Sequence, residues 1–212
     1  MRLSHIFLLN LSINRSFLIK ILLSLVVGVS AWGQPGNPGE LEPFRIVGSS
    51  EQAFHSPGAG YVLEEESLQT FSYDDINQIL RAIPGVYVRE EDGYGLFPNI
   101  SLRGSDPGRS GKVTLMEDGI LMAPAPYSAP SAYYSPTAGR MAGIEVLKGS
   151  SQITQGPHTT GGVINYLSTP IPQDQRGMAE LSWGADNDGI AHLNTGSRWD
   201  SGAGTLGYVL EV

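Results

Sequence analysis

The chain has 212 residues, 13 basic and 21 acidic side chains, a formal net charge of −8 and no cysteine. That acidic balance, without any cluster of Lys and Arg, excludes sequence-independent nucleic-acid binding, which needs basic groups on phosphates. The missing cysteine excludes a disulfide framework and thiolate chemistry.

Residues 1–33 carry Arg2, Arg15 and Lys20 without an acid, then an apolar run at 21–29 and the small residues Val29-Ser30-Ala31. This is the order of a secretory signal peptide, and the run is too short for the roughly 20 residues of a spanning helix. Residues 34–41 (QPGNPGEL) read as a flexible linker. Glu42, Pro43, Phe44, Arg45, Ile46 and Val47 form a short extended piece with nothing nearby to pair with. Such a piece is ordinarily the first edge strand of a domain.

Ser72 reads as a helix N-cap with Asp75 in the capping-box position, and Ile76, Ile79, Leu80 and Ile83 recur at helical spacing. Pro84-Gly85 ends that helix and Val86-Tyr87-Val88 starts a strand. Residues 89–98 form a charged loop carrying Tyr94 and Phe97, and 99–104 (NISLRG) alternate as a strand. Residues 112–122 are a hairpin about Asp118-Gly119, a favoured turn pair. Residues 123–136 hold four prolines and three tyrosines, Tyr127 among them. Proline cannot donate to a sheet, so this is a surface excursion, either a connector or a ligand-facing loop.

Residues 143–168 (GIEVLKGSSQITQGPHTTGGVINYLS) organise the chain: a strand at 144–147, a glycine-rich turn, a polar crossing and a second strand at 163–167. Beyond Pro172 the pattern changes to runs of about ten residues with short turns. Ala179, Leu181 and Trp183 share one face of the first run; Ala191, Leu193 and Trp199 one face of the second. Leu206, Tyr208, Leu210 and Val212 share one face of the third. Apolar-outside, polar-inside alternation fits a transmembrane β-barrel, and a soluble antiparallel sheet makes the same pattern.

Sites for covalent chemistry are missing from the sequence. A phosphate loop over 104–113 fails at Asp106 and Val113, and a dinucleotide fingerprint fails at Pro98. The four histidines lack metal-ligand spacing, no serine sits in a nucleophile elbow, and Asp186-Asn187-Asp188 lacks the remaining ligands of a calcium loop. The expectation is a protein that is not an enzyme and has no metal or cofactor.

INQILRAIPGV, NISLRG, LMEDGI, GIEVLKG and GGVINYLS, in that order, resemble the plug domain of TonB-dependent outer-membrane receptors, and the tail at 152–172 resembles the ferric dicitrate type. The resemblance implies an α/β (α+β) globular plug followed by the first antiparallel strands of an outer-membrane β-barrel. It divides the chain into a signal peptide (1–33), a linker with a candidate TonB box (34–48), the plug (49–172) and barrel strands (173–212). Three runs out of roughly 22 strands would leave open edges in lipid, so a fragment of a longer receptor is expected.

Implied partners are TonB, outer-membrane lipid and a ferric siderophore or ferric citrate. The implied TonB box is Glu42, Pro43, Phe44, Arg45, Ile46 and Val47. Tyr94, Phe97, Arg109 and Tyr127 are implied ligand contacts in the plug loops, with Arg109 for an anionic chelate; the plain alternative for Arg109 is a solvated charge. Arg103 and Lys148 are implied salt-bridge partners of the barrel wall. A receptor for cobalamin and a secreted soluble β-rich binding domain are the alternatives.

Overall fold

The computed structural model describes residues 45–55, 58–71, 75–91, 97–106, 108–122, 135–149, 155, 160–184, 189–202 and 204–212. All fall in one unit, Glu40–Val212. The signal-peptide and linker readings, Glu42, Pro43, Phe44, Tyr94, Tyr127 and the N-cap assigned to Ser72 lie outside the described residues.

Helix α1 (Ser50–His55) leads into β1 (Ala59–Glu64) and α2 (Glu65–Phe71). A capping box starts α1: Gln52 N donates to Ser49 Oγ, and Ser49 N donates to Gln52 Oε1. Helix α3 (Ile76–Arg81) is capped by Asp75, whose carboxylate accepts from Asn77 N at 2.8 Å. Gly85, at φ +77°, lets the chain reverse into β2 (Val86–Glu90), which pairs antiparallel with β3 (Pro98–Leu102).

Strands β4 (Val113–Glu117), β5 (Ile120–Leu121), β6 (Met141–Lys148) and β7 (Gly162–Ser168) join β1 in a mixed sheet of order β1-β6-β7-β4-β5. Its parallel pair is β4 with β7. The β4–β5 turn has positive φ at both Asp118 and Gly119, as a two-residue hairpin of the expected kind requires. The first edge strand is β1, so residues 45–47 do not play that part.

Alternation sends the side chains of this sheet to two covered faces. Ile144, Val146, Ile164, Tyr166, Val113 and Leu115 face α3, whose Ile76, Ile79 and Leu80 complete the larger core. Burial raises the Tyr166 pKa, and the Asp75 charge raises it further, so the phenol stays neutral. The opposite face carries Val62, Leu147, Val163 and Met116 under Val47 and Ala53. In the register of the strands, Glu145 and Asn165 lie in the middle of that second face, between Val62 and Met116.

A separate antiparallel meander follows: β8 (Arg176–Trp183), β9 (Gly189–Ser201) and β10 (Gly204–Glu211). Register puts Leu181, Leu193, Trp199, Leu206 and Leu210 on one face, and all five are exposed. The opposite face has two bare places where the connection from β7 crosses. A Cβ on Gly196 would lie 2.6 Å from Pro172, and one on Gly207 would lie 2.8 Å from Ile171.

Gly162 is the tightest backbone position in the mixed sheet. It has φ +145°, and a Cβ there would sit 2.2 Å from Leu102 and 2.6 Å from the Leu147 carbonyl. Gly162→Ala is expected to cost about 3 kcal/mol through overpacking and backbone strain. Urea unfolding followed by circular dichroism measures it, and an unchanged midpoint contradicts it.

Candidate functional site

Two loops meet at the start of β3. Asn99, 2% exposed, bridges them: its Oδ1 accepts from Arg109 N at 2.6 Å, while its Nδ2 donates to Arg89 O and to Glu91 Oε1. Glu91 N donates to Phe97 O, closing the base of the loop. Ser110 Oγ accepts from Ile100 N and donates to Pro98 O, pinning the second loop from inside. Arg109 and Ser110 are held at φ +50° and +58°, a region that non-glycine residues enter at some cost.

The structure therefore brings Phe97 and Arg109 to one end of β3, with the Phe97 ring half exposed and the Arg109 residue exposed. An exposed arginine on a backbone fixed from behind, at the same end of the strand as a half-exposed aromatic, has the chemistry to take an anionic, partly apolar ligand by charge and contact. Asn99 is the residue holding this loop base that sequence reading missed. Its signal was an amide near the start of a strand whose residues are all buried.

Arg103, just past the end of β3, and Lys148, the last residue of β6, lie close together, and Arg103 sits at φ +52°. Lys148 Nζ donates to the Pro84 carbonyl at 2.6 Å and lies 5.6 Å from the centre of the Tyr61 ring. Among the described residues neither cation forms an ion pair. Burial lowers the Lys148 pKa from its ordinary 10.5, and the Arg103 charge lowers it further.

Of the candidate TonB box, residues 45–47 are described. They make no strand; the backbone N–H groups of Ile46, Val47 and Gly48 donate to the carboxylate of Glu145. Arg45 Nη1 donates to Gly48 O, closing the curve.

Between the mixed sheet and the meander stands a polar knot on Glu211. Its Oε1 lies 2.7 Å from His192 Nε2 and accepts from Asn194 Nδ2 at 3.3 Å. The Thr169 hydroxyl, at the end of β7, sits between this oxygen and the Arg140 carbonyl with one proton to give. The His192 ring lies against Gly139. This knot is a side-chain hydrogen-bond link between the two sheets, and sequence reading had not singled it out.

A family profile described as TonB-dependent Receptor Plug Domain matches residues 52–163. The chain is similar to the vitamin B12 transporter BtuB of Photobacterium profundum, 27% identical over 153 residues, which are 71% of this chain and 24% of that one. It is similar in structure to the ferric citrate transporter FecA in its unliganded form, with 25% identity and a TM-score of 0.55, over 76% of this chain and 27% of that one. The ferric yersiniabactin uptake receptor FyuA from Yersinia pestis shares the fold at 22% identity and a TM-score of 0.55, over 68% of this chain and 22% of that one. The chain thus spans about a quarter of the length of the relatives it matches.

Because the Lys148 pKa is depressed on folding, the unfolded chain holds that proton to higher pH than the folded chain does. Unfolding free energy therefore rises with pH through the window that ends near 10.5. Wild type should gain on Lys148→Met as pH is raised towards that value in urea unfolding. Parallel pH profiles for the two would contradict the assignment.

Proposed function

This chain belongs to the TonB-dependent receptor plug family, a family of receptors and transporters rather than enzymes, and we propose that it is the plug-bearing part of an outer-membrane receptor that takes up a ferric chelate. On this reading 1–33 is an export signal, 34–48 a linker with the TonB box, 49–172 the plug and 173–212 the opening strands of the barrel.

The observation that carries the reading is the meander. Its exposed face is a row of Leu and Trp side chains, and its other face sets His192, Asn194 and Glu211 toward Thr169 and Gly139 and seats the connector on Gly196 and Gly207, with Met178 and Ile190 part-exposed there. A wall between lipid and a lumenal stopper needs that division. The exposed row is then the lipid-facing band, and the Glu211 knot lies between stopper and wall.

The cycle uses binding energy and mechanical work, with no covalent step. A ferric siderophore or ferric citrate is captured by the loops at 91–98, 105–110 and 123–131, with Tyr94, Phe97 and Tyr127 giving contact and Arg109 meeting anionic oxygens. Capture makes the box at 42–47 available to TonB, which adds a strand to it and pulls, using the proton-motive force. Arg103 and Lys148 are proposed to meet carboxylates of the wall, which would relieve the like-charge proximity that the two have in this chain.

The match to a vitamin B12 transporter favours cobalamin as the second reading. Binding measurements on the full-length receptor separate the two. Ferric citrate or a ferric siderophore should bind, cobalamin should not compete, and Arg109→Ala should weaken the chelate about tenfold, ~1.4 kcal/mol. Binding of cobalamin with no response to iron chelates would replace the first reading by the second.

A further inference from the structure

Glu145 is fully buried in the middle of β6. Its Oε2 accepts from Ile46 N at 2.7 Å and from Asn165 Nδ2 at 3.0 Å; its Oε1 accepts from Gly48 N at 2.9 Å and Val47 N at 3.2 Å. Three consecutive backbone donors thus converge on one carboxylate, an anion nest made from the chain itself. The curve that aims them passes through Gly48 at φ +92°, a conformation that suits glycine.

Around this polar centre the second face of the sheet is apolar, with Val47 and Ala53 above Val62, Met116, Leu147 and Val163. The cover is thin: one curved segment and the six-residue α1. Charge-assisted hydrogen bonds hold well while they are formed. Unlike apolar contacts, they can be exchanged one for one with water once the cover lifts.

We propose that Glu145 is a releasable latch, holding the C-terminal end of the TonB box, Ile46 and Val47, together with Gly48, on the plug until that segment is drawn off its carboxylate. The proposal rests on the reading of 42–47 as the TonB box. In the latched state the box is tethered at its C-terminal end, so the latch sets how readily TonB finds it. Unlatching frees Ile46, Val47 and Gly48 together, because all three donors share one acceptor group.

Both carboxylate oxygens take two donors each, so glutamine cannot replace the glutamate. Whichever way its amide turns, an NH2 group faces N–H donors, although volume and shape are kept. Glu145→Gln in the full-length receptor, in outer-membrane vesicles, is therefore the first variant. Amide hydrogen exchange of the peptide spanning 46–48 should speed up at least tenfold, while the amides of β6 and β7 stay within about twofold. Ile46→Pro, which deletes one donor and leaves the buried carboxylate in place, should move Val47 and Gly48 the same way by a smaller factor.

Unchanged exchange at 46–48 in both variants overturns the latch. So does an equal acceleration throughout β6 and β7, which would make Glu145 only a support of the core. The second measurement is binding of the periplasmic domain of TonB without ligand, which should tighten in Glu145→Gln; Ile46→Pro alters the box itself and removes a donor that strand pairing needs, so it serves the exchange measurement alone. Faster exchange with unaltered TonB binding supports the latch and overturns the reading of 42–47 as the TonB box.

Discussion

A carboxylate buried in the face of a β-sheet is unfavourable unless its oxygens are fully met. Glu145 meets that condition with backbone donors from a segment 97 to 99 residues earlier in the chain. The long-range pairing places the start of the domain over the centre of its sheet. Asn165 extends the network, giving its Nδ2 to Glu145 and accepting from Gly119 N at the β4–β5 turn. That turn is itself tied to β7, through Asp118 to Ser168 and Asp118 N to Tyr166 O. One line of hydrogen bonds thus runs across the second face from the N-terminal segment to the far edge of the sheet.

The two faces are held by different physics. The face toward α3 is apolar, and water offers nothing in exchange for its contacts. The other face is apolar at its margins and polar at its centre. On the proposed function, in which the domain is partly opened by an external pull, that asymmetry lets one side separate while the other keeps the strands aligned. The loops at the start of β3 follow the same economy: Asn99 fixes two backbones at once and leaves Arg109 free to face outward.

Much of the fold could be read from residue pattern. The stripe of Ile76, Ile79, Leu80 and Ile83, the Asp-Gly turn and the two apolar runs about the 149–161 glycines all correspond to observed elements. The helix start moved because Asp75 itself accepts from Asn77 N. Residues 49–71 went unassigned, although Ser49 and Gln52 spell a capping box. There both Val62 and Leu63 are buried, because β1 is covered on both faces, and two-sided burial erases the alternation that marks a strand. The site was less legible. Sequence placed Phe97 and Arg109 in loops, yet Asn99, Glu145 and Glu211 act across separations of 8 to 99 residues. Spacing along a chain carries no sign of such pairings.

The connection from β7 to β8 has a geometric effect of its own. Pro172 and Ile171 rest where Gly196 and Gly207 have no side chains, so the connector lies flush against β9 and β10. Neither strand can slide or swivel past it without lifting those two residues out of their seats. The connector is therefore an indexing key, fixing the angular setting of the meander where β8 begins.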